Sequence, residues 1–280
     1  MQIDLPQPYR PQEIWAFHAR DSQALAEDVV PGRIRKGIML QGVPTIVTIH
    51  LEGNRAHVEA DPAFDPIQLE EMARRMLGLT IDPVPFEKEM TQDSQLGPLI
   101  KERPGLRIAQ TATPFEALSW AVIGQQVNLN FALAMRRTFI IKGNCRHSTG
   151  LWCYPCVSAA ARIDPASLQA QKYSSAKANT LAQLARQIDN GRLILDAPEL
   201  PQQLLAVKGV GPWTVQYMQL RGYGHPDCSL HGDSAVRKAM QKAFDRELDA
   251  LQAEQLLERY KPYRSLAAAH FWASLTPQES

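Results

Sequence analysis

Two glycines and one aspartate carry the strongest chemical signal in the sequence. Gly209-Val210-Gly211 stands directly before Pro212, and Asp233 follows about twenty residues later. Both glycines can take positive φ, and neither puts a side chain between the backbone and a ligand. A helix that begins at Pro212 points its free amides and positive dipole end at the same place, which favours a phosphate. The pattern predicts a phosphate-binding turn with a carboxylate near the bound nucleotide.

Each half of this pattern has a plainer interpretation. The glycine turn, in which Lys208 adds a positive charge, is also typical of a connection between two helices in an α-helical protein. Asp233 precedes Ser234-Ala235-Val236, and aspartate is a favoured N-cap of a helix. A capping role and a chemical role are compatible for the same carboxylate.

Aromatic residues lie close to the glycine turn. Trp213 and Tyr217 are four residues apart and therefore share one face of the predicted helix. An electron-rich ring attracts a cation by ~1–2 kcal/mol when the pair is desolvated. These rings are candidates for a pocket that holds a cationic group, although an aromatic stripe at helical spacing is also typical of a packed core.

A second cluster invites a metal interpretation. Cys145, His147, Cys153 and Cys156 include a C-x-x-C pair, a spacing found in zinc sites. Free, partly buried thiols are the alternative that we favour, and we expect no bound metal and no cofactor.

Composition and charge narrow the class of protein. The chain has 280 residues, 45% of them apolar, and a formal net charge of +1. Any basic surface for nucleic acid must therefore be local. The sequence predicts no secretory signal, no membrane span and reduced cysteines, which indicates a cytoplasmic protein. The basic candidates for phosphate contacts are Lys142, Arg146, Lys172, Lys177, Arg237 and Lys238.

The first part of the chain is predicted to be mixed α/β. Residues 45–51 and 56–60 favour two strands, and Gly53-Asn54 between them predicts a β-hairpin. Residues 35–40 are a candidate third strand, and 66–77 show the apolar period of a helix. The cluster Asp82-Pro83-Val84-Pro85 breaks regular structure, so we predict a domain boundary near residue 90.

The remainder is predicted to be helical. Thr113, Pro114 and Glu116 form the start of a helix that continues towards Met135. Asn190-Gly191 is a plausible helix end. Further helical segments are 174–190, 200–207, 212–220, 234–244, 253–260 and 265–274.

Nearly the whole chain resembles one family. Residues 204–240, with the Gly-x-Gly hairpin and its aspartate, resemble the helix-hairpin-helix DNA glycosylases. More closely, the sequence resembles the DNA-3-methyladenine glycosylase II branch, which acts in alkylation repair. The further matching segments are 103–107 (RPGLR), 123–127 (IGQQV), 219–222 (QLRG) and 261–265 (KPYRS), the last leading to 270–272 (HFW).

The resemblance implies a role for each candidate residue. Asp233 would stabilise a sugar cation and orient water, and Gln126 would fill the gap left by a flipped nucleotide. A buried glutamine bonded to backbone is the alternative for Gln126. The base pocket would contain Trp272, Tyr217, Trp213 and Phe17. DNA contacts would come from Gln126 and from the hairpin residues Lys208, Gly209, Val210, Gly211 and Thr214.

Three positions depart from relatives in informative ways. Trp213 stands where bifunctional members carry the lysine that forms a Schiff base with the sugar, so the resemblance implies a monofunctional enzyme. Gly232 stands where close relatives can carry a second acid, and Ser234 where a larger residue can stand. These two positions leave the range of accepted bases open.

The sequence thus predicts an α+β protein with an N-terminal α/β domain over residues 1–90 and a helical helix-hairpin-helix core over 91–280. The predicted function is release of alkylated purines, of the 3-methyladenine or 7-methylguanine type, from double-stranded DNA. The partner would be damaged duplex DNA, and the protein would be a monomer associated with the nucleoid in the cytoplasm. The alternatives are a glycosylase for deaminated or oxidised bases and a non-catalytic DNA-binding protein.

Overall fold

A single antiparallel sheet forms the N-terminal part of the protein, whose computed structural model describes residues 1–275. The five strands lie in the order β1-β5-β4-β3-β2. Their bounds are β1 Gln2–Asp4, β2 Glu27–Val30, β3 Arg33–Leu40, β4 Val43–Glu52 and β5 Arg55–Asp61. The predicted hairpin is confirmed, since β4 and β5 pair as far as Glu52 and Arg55 around the turn at Gly53-Asn54. The short edge strands β1 and β2 were not predicted.

Cross-strand rows of aliphatic residues give the sheet its buried face. Ile34, Ile49 and Val58 face one another on β3, β4 and β5, and all three are buried. Such neighbouring β-branched side chains are the stabilising unit of an antiparallel sheet.

Fourteen α-helices accompany the sheet in the described residues, which confirms the predicted α+β class. They are α1 Pro11–His18, α2 Pro66–Met76, α3 Val84–Met90, α4 Leu96–Glu102, α5 Pro114–Gly124, α6 Leu129–Gly143, α7 Val157–Ala161, α8 Pro165–Gln169, α9 Ser175–Asp189, α10 Leu200–Leu205, α11 Pro212–Met218, α12 Ser234–Phe244, α13 Ala250–Leu257 and α14 Arg264–Ala273. A π-helical turn, Gln219–Tyr223, extends α11, and a 3₁₀ turn, Glu258–Tyr260, extends α13.

The predicted helix from Pro114 towards Met135 is wrong, because the chain breaks between α5 and α6. Gln125 is extended at ψ 128°, and Gln126 is left-handed at φ 54°. Asn128 then caps α6 by accepting a hydrogen bond from the Phe131 amide at 2.9 Å. Apolar residues continue on both sides of the break, so the helical periodicity of the sequence does not reveal it.

The proline-rich segment after Asp82 also differs from prediction. It does not end in a loop but starts α3, since a proline is tolerated in the first turn of a helix. Phe86 of α3 and Ile100 of α4 pack in a core that also contains Phe271 of α14. The predicted boundary near residue 90 stays a prediction.

Four buried charged side chains join the sheet to the helices. Glu27 of β2 and Lys36 of β3 meet Glu116 of α5 and Arg136 of α6. We call these four residues the buried quartet. It contains two carboxylates and two cations, and each cation contacts both carboxylates.

Candidate functional site

The glycine turn packs against α9. Gly209 has φ +92°, and a Cβ at that position would lie 2.2 Å from Thr180 Oγ1. The same hydroxyl donates to the Lys208 carbonyl at 3.0 Å. Only glycine fits this place, because the backbone is left-handed and a neighbour fills the space of a side chain. Gly211 is extended at φ −112° and caps α11, so only one of the two glycines uses positive φ.

The predicted DNA-contact residues of the turn separate into two groups. Lys208 and Gly209 are exposed and Gly211 is half-buried, whereas Val210 and Thr214 are buried. The Thr214 hydroxyl accepts a hydrogen bond from Gln125 Nε2 at 2.8 Å, and Gln125 Nε2 also donates to the Gly209 carbonyl at 2.9 Å. Val210 and Thr214 therefore hold the turn from inside, while the other three lie at its surface.

Gln126 lies at the tip of the loop between α5 and α6. It is exposed and left-handed, so the alternative of a buried glutamine bonded to backbone is wrong for this position. Its neighbour Gln125 takes that role instead. Lys177 of α9 stabilises the loop by donating hydrogen bonds to the carbonyls of Ile123 and Gln125, each at 2.9 Å. The role of Gln125 was not predictable, since nothing in a Gln-Gln pair indicates which side chain turns inward.

Four N–H groups surround the Asp233 carboxylate. Oδ1 accepts from the amides of Ala235 at 2.9 Å and Val236 at 3.1 Å, and from Trp272 Nε1 at 3.1 Å. Oδ2 accepts from Trp213 Nε1 at 3.2 Å. Asp233 is thus the N-cap of α12, as the plainer interpretation held, and it is also fixed between two indole rings. All four donors are neutral.

Aromatic rings extend from the carboxylate in both directions. Trp213 and Tyr217 lie on successive turns of α11 with ring centroids 5.2 Å apart. The Tyr217 hydroxyl accepts from Trp120 Nε1 at 3.0 Å. From the sequence, Trp120 was predicted only as part of a helix.

Two arginines close the circle of side chains. The guanidinium carbon of Arg221 lies 5.3 Å from the Trp272 ring centroid and 4.5 Å from that of Phe17. Arg20 lies 4.0 Å from the same Phe17 ring and 5.1 Å from the Trp120 ring. We call the resulting circle the aromatic ring cluster: Asp233, Trp213, Tyr217, Trp120, Arg20, Phe17, Arg221 and Trp272.

An open cavity borders this cluster. It has a volume of about 700 Å³ and is lined by Phe17, Arg221 and Trp272 together with residues of α1, α14 and the segment after α4. Clefts of roughly 300–1,000 Å³ are typical of sites for small molecules. All four predicted pocket residues therefore belong to one cluster, and two of them face a cleft.

The cysteine cluster does not have the geometry of a metal site. Residues 1–275 contain no group of three or more metal-binding side chains of the His, Cys, Asp or Glu type. All four cysteines are free, and burial raises the pKa of the Cys153 thiol to about 11. The thiolate that binds zinc is disfavoured there.

The chain is similar in sequence to known DNA repair proteins. The family model described as the AlkA N-terminal domain matches residues 1–113. A probable bifunctional transcriptional activator/DNA repair enzyme AlkA from Mycobacterium tuberculosis is 27% identical over an alignment of 286 positions that covers 98% of this chain. DNA-3-methyladenine glycosylase 2 of Escherichia coli is 27% identical over 77% of this chain and 76% of its own length. These matches support the resemblance to the DNA-3-methyladenine glycosylase II family.

A solved structure shows the same fold over almost the full length. The 3-methyladenine DNA-glycosylase from Archaeoglobus fulgidus superposes with a TM-score of 0.82 at 20% identity, covering 97% of both chains. The chain spans 57% of the length of the mycobacterial relative. No helix within residues 1–275 combines the length and apolar character that crossing a bilayer requires.

Proposed function

We propose that this protein is a monofunctional DNA glycosylase that removes alkylated purines from duplex DNA. The observation that carries the proposal is the Asp233 carboxylate, held by two backbone amides and two indole N–H groups beside an aromatic cleft. A carboxylate fixed in this way stands ready before any charge develops on the substrate.

The chemistry requires a fixed negative charge near the sugar. When the bond between C1′ and the base nitrogen breaks, its electron pair leaves with the base and the sugar becomes an oxocarbenium-like cation. Asp233 would stabilise that cation and orient the water whose oxygen bonds to C1′. One carboxylate suffices if the departing base is already cationic, as alkylated purines are.

The same site argues for hydrolysis without lyase chemistry. A lyase needs an amine that attacks the sugar. Trp213 occupies that position and uses its indole N–H on Asp233. Lys177, a lysine packed against the hairpin region, is bonded to two carbonyls of the α5–α6 loop. We therefore expect no borohydride-trapped adduct with abasic DNA.

The exposed surface beside Asp233 suits a flipped nucleotide. The base must leave the duplex because its glycosidic bond is inaccessible in the stack. Gln126, exposed at a loop tip tied to the hairpin by Gln125, is placed to enter the gap. Lys208 and the turn at Gly209 would contact the phosphates. We propose a monomer that acts on chromosomal DNA in the cytoplasm.

The test compares wild-type protein with Asp233→Asn in base release from methylated duplex DNA. Asparagine is as good an N-cap as aspartate, so α12 keeps its cap while the negative charge is lost. We expect release to fall by roughly a thousandfold or more, in line with loss of a principal electrostatic group. Binding to abasic-site DNA should change little.

A matched control separates charge from capping. Asp249 caps α13 by accepting from the Gln252 amide at 2.8 Å, and it lies outside the aromatic ring cluster. Asp249→Asn should leave base release unchanged. Undiminished release by Asp233→Asn would falsify the proposed mechanism.

The alternatives are outcomes of the same assay. Duplexes with 7-methylguanine, 3-methyladenine, hypoxanthine or 8-oxoguanine identify the substrate class. Release of only the last two would replace alkylated purines by deaminated or oxidised bases. Binding without release of any base would indicate a non-catalytic DNA-binding protein.

A further inference from the structure

Arg221 is a fixed cation in the wall of the cleft, and no carboxylate within residues 1–275 lies at ion-pair distance from it. Its guanidinium lies over the rings of Phe17 and Trp272, and it lines the 700 Å³ cavity. Nη1 donates to the Ala109 carbonyl, whereas the buried Nε has no hydrogen-bond partner within residues 1–275. A buried guanidinium is usually matched by a carboxylate, because an uncompensated charge is costly to desolvate.

The backbone at Arg221 is held as firmly as the side chain. Arg221 lies in the π-helical turn that follows α11, a rare conformation that is frequent at functional sites. Its carbonyl accepts from the Thr111 amide at 2.9 Å and from the Thr111 hydroxyl at 3.0 Å. Burial lowers the pKa of the Arg221 guanidinium to about 10, with Tyr217 and Asp233 favouring the charged form. The group is therefore still charged at neutral pH.

Trp272 contacts both this cation and the carboxylate. Its indole N–H points to Asp233 at 3.1 Å, and its ring lies 5.3 Å from the Arg221 guanidinium carbon. A base stacked against Trp272 and Phe17 would have Arg221 beside it, while its sugar would lie towards Asp233. We propose that Arg221 acts with Asp233 as a pair of opposite charges along the glycosidic bond, drawing the bonding electrons towards the base.

This inference rests on the proposed function and adds a positioned charge on the leaving-group side. As the bond from C1′ to the base nitrogen breaks, its electron pair moves onto the base, towards Arg221. The cation left on the sugar faces Asp233 and bonds to the oxygen of water. The proton of that water passes to Asp233 and then to solvent. Both charges favour the same displacement of electrons, so neither must reorganise during the step.

The charge of the departing base decides how Arg221 acts. A cationic base such as 7-methylguanine is repelled by Arg221 in the bound state, and this repulsion is relieved as the base becomes neutral. A neutral base such as hypoxanthine is not repelled when bound, but it gains negative charge in the transition state, which Arg221 stabilises. The first effect is relief of ground-state strain and the second is transition-state binding.

Single-turnover kinetics of Arg221→Met distinguish these effects from a structural role. With a 7-methylguanine duplex, we expect the maximal rate constant and the half-saturating protein concentration to fall together by about tenfold, leaving their ratio unchanged. With a hypoxanthine duplex, the rate constant should fall by about tenfold at an unchanged half-saturating concentration. Arg221→Lys, which keeps the charge, should restore most of each loss.

Arg20→Met is the matched control. Arg20 also lies over Phe17, but its second ring contact is Trp120 rather than Trp272. It should change both parameters less than Arg221→Met does. Thermal unfolding of each variant monitors folding.

The outcomes separate the inference from the function on which it rests. If Arg221→Met matches wild type, or raises the half-saturating concentration for 7-methylguanine, the inference is overturned even when Asp233→Asn abolishes release. If wild type releases neither base, the proposed function fails and the inference fails with it. If wild type releases only 7-methylguanine, the inference is tested on that duplex alone. A parallel fall of the rate constant and the half-saturating concentration in Arg221→Met supports the inference, and the absence of that fall overturns it.

Discussion

The buried quartet and the aromatic ring cluster use the same kinds of charged side chains in opposite ways. In the buried quartet, Lys36 and Arg136 each contact both Glu27 and Glu116. In the ring cluster, Arg20 and Arg221 donate to the carbonyls of Phe17 and Ala109, and neither is in an ion pair within residues 1–275. Among the described residues, the donors to Asp233 are all neutral.

The buried quartet and the aromatic ring cluster lie next to each other. Phe17 belongs to the ring cluster, and His18, next in sequence, lines a small cavity together with the buried quartet. The two side chains contact each other edge to face at 5.1 Å. The charges of the quartet neutralise one another, so removing one of them leaves an uncompensated buried charge. Arg221 lines the open cleft and is in no ion pair within residues 1–275.

The largest loss of stability should come from the buried quartet. Glu116→Gln removes one of two carboxylates that face Lys36 and Arg136, leaving an unbalanced buried positive charge. We expect the free energy of unfolding in urea to fall by ~3–5 kcal/mol. Asp28→Asn, which breaks the partly exposed pair with Arg33, should cost less than ~1 kcal/mol. Equal losses of unfolding free energy in the two variants would show that the buried quartet matters no more to stability than a partly exposed ion pair.

The next largest loss of stability should come from lowering the pH, which protonates buried groups in and beside the quartet. Burial lowers the pKa of His18 to about 4, and its Nε2 lies 2.9 Å from the Met76 carbonyl. Although burial opposes the shift, Arg136 and Lys36 hold the pKa of Glu27 below its usual range. The contribution of His18 is complete above its unfolded pKa of ~6.5 and is lost as pH falls towards 4, at most ~3 kcal/mol. The contribution of Glu27 is lost at still lower pH.

Unfolding free energies measured from pH 7 to pH 4 check this expectation. In His18→Gln, the decline between pH 6.5 and pH 4 should be shallower than in wild type. An unchanged slope would show that His18 is not the group responsible.

Alanine substitutions at the two glycines of the hairpin should have smaller effects on stability, and the two effects should differ. Gly209→Ala forces a side chain into a left-handed position and onto Thr180 Oγ1, so we expect a loss of about 2 kcal/mol. Gly211→Ala meets no atom within 4 Å and keeps an ordinary φ, so it should cost less than ~1 kcal/mol. Thermal unfolding of the two variants compares them directly. Tolerance of alanine at Gly209 would mean that the turn is not held against α9.

The smallest effect on stability should come from Gln126. Gln126→Ala removes an exposed side chain, and we expect unfolding to change by less than ~0.5 kcal/mol. Affinity for duplex DNA with a flipped abasic site should nevertheless fall a few-fold, measured by fluorescence anisotropy. Gln125→Ala is the opposite case, since it removes the bonds to Gly209 and Thr214 and should lower stability.

Structural features that depend only on residues close together in the sequence were predictable. The N-cap at Asp233, the limits of α12 and the turn at Gly53-Asn54 all follow from side chains that bond to their own backbone or from glycine geometry. The break at Gln125-Gln126 was not predictable, because apolar residues continue on both sides of it. The turn there depends on bonds to the hairpin and to Lys177, which are far away in sequence.

The candidate site shows the same limit. Asp233, Trp213, Tyr217, Phe17 and Trp272 were named from the sequence, and one cluster contains them all. Trp120, Arg20 and Arg221 were missed as members. An arginine in a helix is normally a solvated charge, and nothing in the surrounding residues indicates that Arg221 lies over Phe17, which is 204 positions earlier.

By itself the sequence determined the family resemblance, the glycine turn, the cap at Asp233 and the absence of a lysine at Trp213. These features depend on residue type and short spacing, which the backbone converts directly into local geometry. Only the tertiary structure decided which charges are matched. The buried quartet joins β2 and β3 to α5 and α6. The aromatic ring cluster joins α1 to α11 and α14. The electrostatic environment of a charge therefore depends on neighbours in space. Packing therefore made Glu116 a partner within the interior and left Arg221 facing the cleft.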